Sequence, residues 1–72
     1  MYIQALPKEL ESYIRKHQLS KQWEKQKHLF ELNPRHPSLH TELLEPKQMR
    51  IYSFRVTKRY RAIFVFVSQD EV

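Results

Sequence analysis

The sequence predicts a single α+β domain in which an N-terminal helical hairpin packs on one face of a small antiparallel β-sheet. Three observations predict it. The first half of the chain carries apolar residues at spacings of three and four. The last third is rich in β-branched and aromatic residues, in two runs separated by a short polar segment. Finally, 72 residues leave room for one hydrophobic core and no second domain.

The first helix is expected over about residues 7–18. Pro7 suits a first helical position, and Leu6, Leu10, Tyr13, Ile14 and His17 fall on one face. Leu19-Ser20 interrupts the pattern, and the Ser20 hydroxyl is expected to cap a second helix over about 20–32. Trp23, Gln26, Leu29, Phe30 and Leu32 form the apolar side of that helix. Lys21, Lys25 and Lys27 read as a solvated face, with Glu24 placed to pair with Lys27 or His28. Asn33-Pro34 stops the helix, because proline lacks a donor and pushes its predecessor out of the α region. Pro34–Pro37 is then a stiff connector, and Leu39, Leu43 and Leu44 mark a brief strand or helical turn closed by Pro46.

A β-hairpin is expected over about 49–67, from the runs Met49–Val56 and Tyr60–Val67 around Thr57-Lys58-Arg59. A two-residue Lys58-Arg59 turn needs positive φ at both positions, so a loop of three or more residues is favoured. If Val56 faces Tyr60, then Tyr52, Phe54, Val56, Tyr60, Ala62, Phe64 and Phe66 share the face covered by the two helices. The other face carries Ile51, Ser53, Arg55, Arg61, Ile63, Val65 and Val67, with Arg55 directly across from Arg61. Opposed like charges destabilise a strand pair, so this pair calls either for an anionic ligand or for a neutralising carboxylate such as Glu42 or Glu45.

Composition narrows function. Thirteen Lys and Arg against eight Asp and Glu give a net charge of +5, with a pI near 9.8, which favours polyanionic partners such as RNA, DNA or an acidic protein. Glycine is absent, so no Gly-rich phosphate cradle or dinucleotide fingerprint exists. Cysteine is absent as well, which removes disulfides and thiolate metal sites. No apolar run approaches a membrane span, and Met1-Tyr2-Ile3 lacks the features of a signal peptide, so a cytoplasmic protein without membrane contact is expected.

Three stretches carry a family resemblance. Asn33-Pro34-Arg35-His36-Pro37-Ser38-Leu39, then Leu43-Leu44, then Ile51–Thr57 followed by Tyr60-Arg61-Ala62-Ile63-Phe64 resemble the RelE/ParE toxins of bacterial type II toxin–antitoxin systems. The resemblance covers about half the chain and implies the fold already described. It also implies a ribosome-dependent mRNA endoribonuclease, an mRNA interferase that inhibits translation and is neutralised by a cognate antitoxin. In such enzymes basic residues of the central hairpin hold the phosphate backbone and stabilise the charge that builds as the ribose 2′-hydroxyl attacks its own phosphate. On this reading Arg55 and Arg61 are the catalytic cations, while Lys47, Arg50, Ser53, Lys58 and Arg59 bind RNA. Arginine suits the task, since its guanidinium grips phosphate oxygens with paired hydrogen bonds and stays charged. No cofactor and no metal is expected.

The chain departs from the family pattern at both ends. Relatives open with a full strand and continue past the hairpin into a further strand with a His or Tyr region. Here the C-terminal strand looks short or missing, which exposes a sheet edge and makes a homodimer a possible outcome. His36 and His40 bring imidazoles toward the arginine face, although a plain loop role suits them better. Two other readings follow from the same resemblance: a catalytically degenerate module that binds an antitoxin or nucleic acid, and a gyrase-directed toxin of the ParE type.

Overall fold

The computed structural model describes residues 1–68 and 71–72. Helix α1 spans Lys8–Lys16, α2 spans Ser20–Leu32, and three short strands follow: β1 (Glu42–Leu43), β2 (Tyr52–Arg55) and β3 (Arg61–Phe64). The strands form an antiparallel sheet in the order β1-β2-β3. This is the expected α+β arrangement, two helices followed by an antiparallel sheet.

Both helix starts differ from expectation. Pro7 lies just outside α1 with ψ 151°, so it precedes the helix rather than opening it. Ser20 is the first residue of α2, preceded by Leu19, and no side chain caps the helix. Leu19 is buried, and its burial fixes the chain entry one residue earlier than a Ser20 cap would. Helix α1 ends at Lys16 because Gln18 turns left-handed at φ 57°. The Leu19 amide then donates to the Ile14 carbonyl at 2.8 Å and the Gln18 amide to the Arg15 carbonyl at 3.0 Å. This is a Schellman closure, with a glutamine in the position that glycine usually takes.

The inner face of the sheet is organised around Phe54. Its ring stacks on Phe30 of α2 at 4.9 Å and lies 6.0 Å from Trp23, while Phe64 meets Phe30 edge-on at 5.0 Å. Such ring pairs contribute about 0.5–1.5 kcal/mol each beyond their burial. Ile3, Phe30, Leu39 and Phe54 form the buried core. Gln26 lies on the same side of α2, also buried, and its amide donates to the carbonyls of Arg55 at 2.8 Å and Ser38 at 3.3 Å. A polar residue on an apolar stripe is tolerated here because it satisfies two carbonyls. Leu32, expected on that stripe, is 71% exposed at the helix end.

Only α2 covers the sheet closely, whereas the sequence suggested that both helices do. No residue of α1 is buried, because the extended N-terminal segment takes the place beside the core. Ile3 is buried there, its amide bonded to the Glu31 carboxylate at 3.1 Å, and Tyr2 bridges Glu71 in parallel. Helix α1 meets the hairpin through rings instead: His17 stacks on Tyr13 at 3.9 Å, and both approach Tyr60 edge-on.

The hairpin is shorter than the expected 49–67. Lys47–Met49 is a 3-10 turn that ends on Arg50 at φ 53°. After Phe64 the described residues form no further ladder strand. The turn holds three residues, Thr57–Arg59, and the Thr57 hydroxyl accepts the amides of Arg59 and Tyr60, both at 3.2 Å. The segment around Leu39 resolves into a 3-10 turn, Pro37–Leu39, followed by β1.

Candidate functional site

The register places Ser53 opposite Ile63, Phe54 opposite Ala62, and Arg55 opposite Arg61. Over Tyr52–Arg55 and Arg61–Phe64 the two faces are those read from the sequence, and the two arginines share the outer face; Phe66, read as inward, lies beyond the ladder and is 43% exposed. The Val56 amide bonds the Tyr60 carbonyl at 2.9 Å, so Arg55–Arg61 falls at the intervening non-hydrogen-bonded pair, where side chains stand closest. Glu42 lies on this face opposite Ser53. Even so, neither Glu42 nor Glu45 forms an ion pair with either arginine, and no ion pair of any kind occurs among the described residues, Glu24 with Lys27 or His28 included. The alternative of carboxylate neutralisation is not built among the described residues.

The two arginines are not equivalent. Arg61 is clamped, its Nε donating to the Ser53 hydroxyl at 2.9 Å and its Nη2 to the Ser53 and His40 carbonyls. Arg55 is half-buried, and its guanidinium has no partner among the described residues. Its main chain is fixed from beneath by Gln26. One cation is thus pre-oriented and the other is free to close on a ligand.

The remaining sequence candidates are spread along the sheet. Lys47 and Arg50 lie at the entry to β2, and Lys58 and Arg59 at the hairpin tip; all four are exposed. They bracket the arginine pair from both ends rather than joining it. Ser53 is 2% exposed, and its hydroxyl accepts from Arg61 Nε, so in this arrangement the serine positions that cation. Alongside the pair, Ile63, Val65 and Val67 are exposed, giving the basic face an aliphatic border.

His40 is brought to this face by its main chain. It closes the Pro37–Leu39 turn with φ 47°, which aims its carbonyl at Arg61. The His36 ring accepts the Ser38 amide through Nδ1 at 3.1 Å and so is held in its own loop. Among the described residues no group of three or more His, Asp or Glu side chains is placed to hold a metal ion. The clamp linking Ser53, Arg61 and His40 has no signal in the sequence, because it depends on a left-handed histidine 21 residues from its arginine.

A second cluster lies on the opposite face, at the turn end of the hairpin. Desolvation, together with the charge and hydrogen bond of the adjacent Tyr60 hydroxyl, raises the Tyr13 phenol above its ordinary pKa. His17 shares this cluster, and its Nδ1 lies 3.0 Å from the Tyr13 carbonyl. The common helix face of Tyr13 and His17 is legible from their spacing, whereas their meeting with Tyr60 is not.

Comparison with known proteins yields one partial likeness. The chain is 50% identical over 34 residues to an uncharacterized protein of Haemophilus influenzae, a stretch that covers 47% of this chain and 34% of that protein. No protein-family model and no solved structure matches. No helix among the described residues is long and apolar enough to cross a membrane.

Proposed function

We propose that this chain is a toxin-like, ribosome-dependent mRNA endoribonuclease of the RelE/ParE type, with Arg55 and Arg61 as its phosphate-binding cations. The observation that carries the reading is the opposed arginine pair, left without a carboxylate partner among the described residues. Two cations on adjacent strands repel each other in the free protein. A phosphodiester between them turns that repulsion into attraction, most of all when negative charge accumulates during phosphoryl transfer. Arg61, pre-oriented by Ser53 and the His40 carbonyl, stabilises the charged phosphoryl oxygens, and Arg55 closes from the neighbouring strand. Lys47, Arg50, Lys58 and Arg59 add attraction that is general for a polyanion and sensitive to salt.

A cognate antitoxin is the protein partner of this reading, holding the basic face with acidic or apolar side chains and acting in the cytoplasm with its toxin. A second reading, a non-catalytic binding module, is favoured by one observation: the Nε and Nη2 donors of Arg61 are already engaged within the protein. Expression separates the two. The nuclease reading expects growth arrest that Arg61→Ala relieves, and arrest that persists unchanged in this variant rejects the assignment of Arg61.

A further inference from the structure

One short loop reaches both arginines of the basic face. In His36-Pro37-Ser38-Leu39-His40, Pro37 opens a 3-10 turn, where its missing amide costs nothing, and it keeps His36 extended at ψ 131°. That is the backbone of a capping residue. The imidazole fills the role that serine or aspartate usually takes: its Nδ1 accepts the Ser38 amide at 3.1 Å. Leu39 is wholly buried and pins the turn to the core, and His40 closes it left-handed at φ 47°.

Two carbonyls of this turn hold the sheet. The Ser38 carbonyl accepts from the Gln26 amide at 3.3 Å, and the same amide nitrogen donates to the Arg55 carbonyl at 2.8 Å. The His40 carbonyl accepts from Arg61 Nη2. Ser53 grips Arg61 firmly at Nε, at 2.9 Å, but reaches Nη2 only weakly, at 3.4 Å. The His40 carbonyl therefore decides where the far end of the guanidinium points, and the turn that His36 caps decides where that carbonyl lies.

We propose that His36 is a positioning residue for Arg61 and that it acts as a proton-sensitive latch, the neutral imidazole holding the turn closed on the arginine and the imidazolium releasing it. The bond from Ser38 needs the lone pair of Nδ1, so the neutral ring carries its proton on Nε2. A second proton lands on Nδ1, sets one N–H against another and removes the cap. Imidazole is the side chain that makes this change between about pH 8 and 5. The ring lines a cleft with Arg35 and His40 of its own loop, Glu42 of β1 and Tyr52 of β2, and from α2 the turn is bonded by the uncharged Gln26. The charges around the ring are thus of both signs, and the capping bond is the contact that a proton on Nδ1 displaces. Control of Arg61 needs no ligand, whereas its consequence for a phosphodiester rests on the phosphate-binding reading of Arg61.

The test follows the folded protein by NMR from about pH 7.5 to about pH 5.5 in wild type, His36→Asn and His36→Ala. Asparagine caps through an oxygen that does not titrate, and alanine removes the cap. The nitrogen shifts of the wild-type ring at the upper pH should show the proton on Nε2. Exchange of the Ser38 and His40 amides, taken as a ratio to His36→Asn at each pH so that intrinsic exchange cancels, should rise about fivefold on acidification, the loss of one capping bond. The Arg61 Nε and Nη signals should shift along the same curve. His36→Asn should hold those signals at their neutral-pH positions throughout, and His36→Ala should show the released positions at both ends. These readouts need no RNA, so a failure of message cleavage leaves the latch standing, and a failure of the latch leaves phosphate binding standing. The wild-type titration and the asparagine variant decide the matter even where the alanine variant folds poorly. A neutral ring protonated on Nδ1, Arg61 signals indifferent to the His36 titration, or Arg61 signals that move in His36→Asn as they do in wild type would each overturn the proposal.

Discussion

Replacing Arg55 by glutamine should make this protein more stable, an unusual expectation for a residue so close to the core. The register sets Arg55 opposite Arg61 at a non-hydrogen-bonded position, and no carboxylate offsets them among the described residues. With the charges separated by roughly the cross-strand spacing of 5–6 Å, Coulomb repulsion in water is about 0.7 kcal/mol, and physiological salt reduces it to about 0.4 kcal/mol. For a domain of this size, that gain raises the melting temperature by about 2–3 °C. Arg61→Gln relieves the same repulsion but loses the bonds to Ser53 and His40, so it should be neutral or destabilising. Thermal unfolding by circular dichroism at low salt and at molar salt reads both effects. The Arg55→Gln gain must shrink as salt rises, and a polyphosphate should stabilise the wild type more than the variant. A variant no more stable than wild type at low salt, or a gain indifferent to salt, refutes the idea that the two arginines repel in the free protein.

Other expectations follow from single contacts. Gln26→Ala leaves the Arg55 and Ser38 carbonyls without their donor and should cost about 1–3 kcal/mol in urea unfolding. Gln18→Gly relaxes a left-handed residue at φ 57° and should add about 1 kcal/mol by the same assay. The raised Tyr13 pKa favours the protonated phenol in the folded state. That contribution is complete below the ordinary tyrosine value of 10.0 and is lost as pH rises through the folded value. Ultraviolet titration should show one tyrosine ionising late, and Tyr60→Phe should move it back toward the ordinary value.

Much of the fold was legible because its strongest signals are local. Alternation in Tyr52–Val56 and Tyr60–Phe64 fixed the strand faces and the arginine pairing, since a slip of one residue would bury Arg55 and expose Phe54. Helix α2 was legible from Trp23, Gln26 and Phe30. The misplaced features depend on tertiary competition. Leu6, Leu10, Tyr13 and Ile14 have the periodicity of a buried face, yet Ile3 occupies the core position beside α2, and no helical pattern announces an extended N-terminal segment. The left-handed residues Gln18, His40 and Arg50 were equally hidden, because in a chain without glycine nothing marks where φ turns positive. At the site, opposition of Arg55 and Arg61 was visible from register alone. The unequal roles of the two arginines were not, since the clamp on Arg61 is assembled from a buried serine hydroxyl and a distant loop carbonyl.

The most direct test of the phosphate-binding role of the arginine face is an in vitro translation reaction with the mRNA ends mapped, comparing wild type with Arg55→Ala and Arg61→Ala. The account predicts discrete cleavage within the translated message by the wild type and loss of those ends in both variants. Intact message with undiminished translation in the presence of folded wild-type protein would contradict it.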